Sequence, residues 1–208
     1  MSSARRASAA AAAPPRLLAA LLAAWRESLP SEEWRELDAH TIAQGCSEQL
    51  RLGARRRRGQ MLLRLRAGAA PGAAVLELIS EDMPFLVDTL QMGLARAGAS
   101  VRLLVHPVLY VQRDARGRLL ALQGASGARA SAPEPSLRRE SWQCVQIDAP
   151  ESDAAARALL TLLRAALADL RRAVADWGAM RRELLQRCAE LAKHPPPLAP
   201  EVLAESRE

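Results

Sequence analysis

The chain has 208 residues, half of them hydrophobic, which is enough for one ordinary domain with extensions. Its formal charge of +6 comes from 29 basic and 23 acidic side chains, with arginine supplying every positive charge except Lys193. Four Trp, one Tyr and one Phe leave the core to Leu, Val and Ala. They also leave the basic residues without the stacking aromatics of a nucleic-acid surface, so the Arg55–Arg56–Arg57–Arg58 run reads as a solvated basic loop rather than a nucleic-acid site.

In chain order, residues 1–15 read as a disordered, alanine-rich tail. Arg5 and Arg6 precede an apolar run, Leu17–Ala24, with the length of an export-signal core. Pro14, Pro15 and Arg16 interrupt that arrangement. Leu18, Leu21, Leu22 and Trp25 also share one helical face, so the run reads as a first helix over 16–28. Pro30 ends it, and Ser31 is placed to cap a second helix carrying Trp34, Leu37, Thr41 and Ile42. Residues 46–58 continue as helix into the arginine run. This 16–58 segment is expected to be helical and mostly polar.

Strand periodicity begins at residue 60, where Met61, Leu63 and Leu65 alternate with Gln60, Arg64 and Arg66. Val75–Leu76–Glu77–Leu78–Ile79 reads as a mostly buried strand. Met83, Val87, Leu90, Leu94 and Ala97 then form one helical stripe widened by Leu86. Asp82 is the expected N-cap, Pro84 falls in the first turn, and Gly98 ends the helix in the left-handed region. Val101–Gln112 is extended, with Pro107 either bending the strand or sitting on its edge. Asp114–Gly117 reads as a hairpin turn, residues 123–138 as a flexible loop, and Trp142–Ile147 as another strand.

Ser152 or Asp153 caps the longest helix, whose stripe is Leu159, Leu163, Leu167, Leu170, Val174 and Trp177. Gly178 is placed to break or kink it, and the tail 195–208 reads as a proline-rich linker and the start of a further helix. The architecture expected is α+β: a two-layer sandwich of a mainly antiparallel sheet, 60–148, with its two helices, the second over 149–194, on one face. The other face, with Leu62, Leu104, Val108 and Tyr110 as candidate outward residues, is expected to need a partner sheet or domain.

Chemistry is sparse. Cys46, Cys144 and Cys188 are odd in number, far apart and lack CxxC spacing, and His40, His106 and His194 do not join them. This argues against disulfides and zinc and fits a reducing, cytoplasmic compartment. No apolar run reaches membrane-spanning length. No GxGxxG loop follows a strand, so no dinucleotide cofactor is expected on this chain.

Three stretches together resemble a known family. They are Leu76–Asp88 with its Ser80–Glu81–Asp82–Met83–Pro84–Phe85 core; His106–Asp114 followed by Gly117–Arg118–Leu119; and Glu140–Asp148 running on to Asp176–Trp177 and Met180. In that order they are similar to the N-terminal ACT-like segment of bacterial large NAD-specific glutamate dehydrogenases. The resemblance covers roughly residues 60–205. It implies an ACT-like fold in an enzyme that converts glutamate and NAD to 2-oxoglutarate and ammonia, with NAD and catalysis belonging to domains outside this stretch. It implies as partners the remaining domains of the same enzyme and other subunits, and a regulatory or assembly role. A stand-alone ACT-like amino-acid sensor is the alternative.

In ACT domains the loop from first strand to first helix often binds an amino-acid effector, which makes Glu81, Asp82, Met83, Pro84, Asp88 and His106 the candidate effector or interface residues. Against a ligand pocket stands Phe85, where ligand-binding ACT domains usually have glycine. A phenylalanine is expected to fill the space, with Asp82 serving as a cap. Asp88 reads as a solvated helix acid or an interface ion-pair partner, and His106 as a hydrogen-bonded strand residue. The ACT order of strand, helix, strand, strand, helix, strand lacks its last strand here, a place that the 60–66 strand either takes or leaves empty.

Overall fold

The computed structural model describes residues 14–124 and 137–194. Three helices come first: α1 (Pro15–Ser28), α2 (Ser31–Glu36) and α3 (Ala39–Gly53). There follow β1 (Leu62–Ala67), β2 (Ala73–Glu81), α4 (Leu86–Arg96), β3 (Val101–Val105), β4 (Val108–Arg113), β5 (Leu119–Gly124), β6 (Arg138–Asp148) and the long helix α5 (Asp153–Lys193). The expected flexible loop lies mostly outside the described residues, as does the tail from Pro195.

The strands form one antiparallel sheet in the order β1-β2-β6-β4-β5. β3 and β4 both pair with β6, at Cys144–Ile147 and Arg138–Ser141 respectively. They amount to one strand broken at His106–Pro107. Pro107 cannot donate to the ladder, but its carbonyl accepts from the Trp142 N–H at 3.1 Å, so the break costs the sheet little. The missing last ACT strand is replaced at the edge beside β2 by β1, paired from Leu62↔Ile79 to Ala67↔Ala74. This is an α+β, ACT-like sandwich, as the sequence led us to expect.

Helices α4 and α5 cover one face. Leu76, Leu78, Val145 and Ile147 from the sheet meet Leu86, Leu90 and Leu94 of α4 and Leu159, Leu163 and Leu167 of α5 in an aliphatic core. Each such side chain contributes about 1.5–3 kcal/mol on burial. Gly93 lets the two helices touch, since a Cβ there would lie 2.6 Å from Leu163 Cδ2.

The opposite face departs from expectation. It is covered by the chain's own N-terminal segment: Leu17, Leu21 and Trp25 of α1 and Ile42, Cys46 and Leu50 of α3 pack on Val75, Ile79, Val105, Leu109, Val111 and Trp142. The 16–58 segment is therefore a layer of the fold. Leu62 packs in this layer, whereas Leu104 packs against the α4–α5 core. Val108 and Tyr110 alternate with Leu109 and Val111, so they face the α4–α5 side and are half-buried there.

Local signals are corrected at four places. Ser31 does not cap; Pro30 occupies the N-cap of α2, which ends at Glu36, and Asp38 caps α3 by accepting from the Thr41 N–H at 2.8 Å. The helix expected over 46–58 stops at Gly53, after which Arg55 bridges to Arg118. Gly178 does not break α5, which runs 41 residues; one glycine costs a helix about 1 kcal/mol, too little to stop one this long. Asp82 does not cap α4. The N-cap is Phe85, with φ 63° and no side-chain hydrogen bond to the helix, so Pro84 lies before the first turn. Gly98 does end α4 with φ 71°, and Ser152 caps α5 through the Ala155 N–H at 3.2 Å.

Candidate functional site

The β2–α4 turn and the β3–β4 break lie at one end of the sheet. Alternation along β2 splits the candidate residues between faces. Glu81 points to the N-terminal-helix side, where its Oε1 accepts from the Gly59 N–H at 3.1 Å. Asp82 turns to Arg139. Its Oδ2 lies 2.7 Å from Arg139 Nη2, and its N–H donates to the Arg139 carbonyl. Met83 is partly buried against the α4–α5 core, while Pro84 and Asp88 are exposed. Asp88 stands in the first turn of α4, where a negative charge is favourable to the helix dipole.

His106 joins a small polar cluster that the sequence did not reveal. Its Nε2 lies 2.8 Å from Ser141 Oγ, which also accepts from Gln143 Nε2 at 3.2 Å. Ser141 and Gln143 are wholly buried, and Gln143 Oε1 has no partner. Burial pushes the His106 pKa below its ordinary value, against a smaller upward pull from the Asp82 carboxylate. A neutral imidazole accepting from the Ser141 hydroxyl satisfies this geometry. Of the six candidates, then, only Asp82 and His106 are brought into electrostatic reach of each other. Glu81 is on the other face and Asp88 is apart.

Phe85 corrects a second expectation. It does not fill the space beside the turn: the residue is 68% exposed. It is also the only non-glycine residue at positive φ among the described residues. The turn keeps a left-handed backbone suited to glycine, and the aromatic ring is directed into solvent.

The strongest charged arrangement was missed altogether. Arg56, from the basic run read as solvated, is 1% exposed, and its Nη2 donates to Glu140 Oε1 at 2.8 Å. Arg113 approaches the same carboxylate bidentately, Nε to Oε1 at 2.7 Å and Nη2 to Oε2 at 2.9 Å, while Trp142 Nε1 donates to Oε2 at 3.0 Å. Arg113 Nη1 also donates to the Gly53 and Gly117 carbonyls, and Arg56 Nη1 to the Gln60 carbonyl. Burial is the largest influence on Glu140 and raises its pKa, but the two arginines together hold it below the ordinary value. The network ties the end of α3, the 56–60 loop, β4 and β6 together. Gly117 permits this, since a Cβ there would fall 2.5 Å from the Arg56 carbonyl oxygen. The Glu140 carboxylate is saturated by these donors, Arg56 Nε alone is left without a partner, and Arg56, Arg113 and Glu140 are all buried, so the network reads as a structural clamp.

Among the described residues no group of three or more His, Cys, Asp or Glu is arranged to hold a metal, and no helix is long and apolar enough to cross a membrane. The Cys46 thiol is pushed up to about 12 by burial and the Cys144 thiol is raised likewise, leaving Cys188 as the exposed free cysteine.

An antiparallel sheet with α4 and α5 on one face and a tight turn from β2 into α4 defines an ACT-type domain. The family described as glutamate dehydrogenase, ACT1 domain, matches residues 21–163, from within α1 to the first third of α5. This is well over half of the chain, which belongs to that family. It is 34% identical over 116 residues to an NAD-specific glutamate dehydrogenase of Halomonas elongata, covering 56% of this chain and 7% of the relative. It is 35% identical over 115 residues to an NAD-specific glutamate dehydrogenase of Pseudomonas aeruginosa, covering 53% of this chain and again 7% of the relative. The chain thus corresponds to a small part of these relatives.

Proposed function

We propose that this chain is an N-terminal regulatory and assembly module of a large NAD-dependent glutamate dehydrogenase, with NAD binding and the conversion of glutamate to 2-oxoglutarate and ammonia carried by domains outside it. The observation that carries the reading is the ACT1 match over residues 21–163, which takes in the N-terminal helices as well as the sheet. Its partners are the other domains of that enzyme and neighbouring subunits.

The regulatory half of the proposal is an amino-acid effector at the β2–α4 turn. Phe85 supports it by holding the backbone a glycine would give while keeping its ring out of the turn. The first amides of α4 are free of side-chain caps and suit a carboxylate. Asp82, beside His106, is the acidic group at the turn and would take an ammonium group by exchanging its partly exposed Arg139 partner.

Titration calorimetry with a panel of amino acids tests this. Heat with one of them, lost in Asp82→Ala, is expected. No heat with any member of the panel removes the effector and leaves an assembly role alone.

A further inference from the structure

Helix α5 outruns the domain it covers. Leu159, Leu163, Leu167 and Leu170 are buried, but beyond Leu170 only Val174 is even partly covered. The remaining 23 residues, Arg171–Lys193, extend about 34 Å. A polar face all round would explain such a projection, yet its apolar stripe does not stop. Trp177, Met180, Leu184, Leu185 and Leu191 are each more than half exposed. Leu170, Val174, Trp177, Leu184, Cys188 and Leu191 continue the buried face at alternating three- and four-residue steps, with Arg181 filling the one remaining step, the pattern of a coiled-coil seam. Most of the charges lie off this stripe, where Arg187 pairs with Glu183 and Glu190 and Arg172 with Asp169.

We propose that this projecting half of α5 pairs antiparallel with the same segment of a second copy of the chain. Area and charge support that occupant. The exposed apolar surface of the stripe amounts to roughly 600 Å², the upper end of what a monomer leaves uncovered. Two copies together can bury at most about 1,200 Å² of it, the lower bound of a specific interface.

Arg181 decides the direction. A parallel pair stacks Arg181 on its counterpart in the seam. An antiparallel pair sets Arg181 over Leu184, Val174 over Leu191 and Trp177 over Cys188, with no like-charge layer. It also holds the two sheets at opposite ends of the paired helices, clear of each other. This inference rests on the assembly half of the proposed function and deepens it, and its tests are separate from the calorimetric test of the effector.

Sedimentation velocity of the chain at micromolar concentration tests it. Twice the chain mass is expected for the native protein, and the single-chain mass for Trp177→Glu/Leu184→Glu, with far-ultraviolet circular dichroism and the thermal midpoint of the domain retained. A native monomer overturns the proposal, including the case in which the stripe serves another part of a longer polypeptide; so does a dimer unaffected by the double substitution.

Should the double variant misfold, disulfide trapping decides. In the antiparallel register Cys188 faces position 177 of the other copy, so Trp177→Cys forms a covalent dimer under mild oxidation. The native chain, with its Cys188 thiols offset by about 16 Å, does not. A native Cys188–Cys188 dimer means a parallel pair and sinks the antiparallel arrangement.

Discussion

Glu77 and Glu140 make an instructive pair. They lie on adjacent strands of one sheet, on the same face, both wholly buried, and both next to two arginines. Glu140 receives four donors from Arg56, Arg113 and Trp142, and those arginines are themselves buried. Glu77 is held from one side only. Arg64 donates to its Oε2 at 2.7 Å and Arg66 approaches the same oxygen at 3.4 Å, while Oε1 has no partner. Arg64 and Arg66 are also partly exposed, so water screens their attraction. The two pKa values accordingly move in opposite directions, Glu140 down and Glu77 up, the latter because burial outweighs Arg66 and Arg64. Nearby opposite charge does not by itself make a buried carboxylate favourable; saturation of its lone pairs by buried donors does.

The largest effect is expected from Glu140→Gln, which leaves Arg56 and Arg113 buried without a counter-charge. A loss of about 3–5 kcal/mol is expected in urea unfolding at neutral pH, and a loss under about 1 kcal/mol would show that the clamp contributes little. Next is Gly53→Ala, beside the same clamp. The new Cβ would lie 2.3 Å from Trp142 Cη2, and overpacking of about 1–3 kcal/mol is expected, with Gly178→Ala, whose Cβ would meet nothing nearer than Arg182 Nη1 at 3.6 Å, as the unstrained comparison. Glu77→Gln should cost no more than about 1 kcal/mol, since it removes a charge that burial already disfavours. If it costs as much as Glu140→Gln, the contrast between the two sites is wrong.

Acid separates them by sign. Glu140, depressed in the folded state, contributes stability that is present above its unfolded pKa and lost as pH falls through its folded one. Glu77, raised, contributes most at low pH, and that contribution disappears as pH rises through its folded value. Between neutral and acid pH, the gap between native protein and Glu140→Gln should therefore shrink. Relative to Glu77→Gln, the native protein should gain. Stability measured at a series of pH values for the three proteins checks both slopes. The smallest effect belongs to His106→Gln, which keeps a partner for Ser141 and should shift stability by about 1 kcal/mol or less.

Much of this fold was legible in the chain because period is a strong signal. The alternation in Gln60–Arg66, the stripe of α4, the Asp114–Gly117 turn and the leucine series of α5 all fall where the structure has β1, α4, the β4–β5 turn and α5. What covers the second face was not legible, because α1 and α3 are amphipathic helices whose target no pattern names. The clamp was hidden for another reason. Arg56 stands among three other arginines, and only tertiary position separates it from exposed Arg55 and Arg57. The neighbouring site did carry a hint: Glu77 sits between Leu76 and Leu78 in a buried strand, which demands a cationic neighbour, and Arg64 is its registered partner on β1. At the candidate turn, Asp82 has the chemistry of a cap, but its pairing with Arg139 claims it. The left-handed backbone at Phe85 leaves no trace in a phenylalanine.

The length of α5 carries a mechanical consequence. Its first half is fixed to β1 and α4, and its second half stands about 34 Å clear. Such a rod is a lever: a tilt of about 5° where it rests on the sheet moves its tip by about 3 Å over that length. Small adjustments beneath α4 and α5 are thereby magnified at Leu184 and Leu191, far from where they begin.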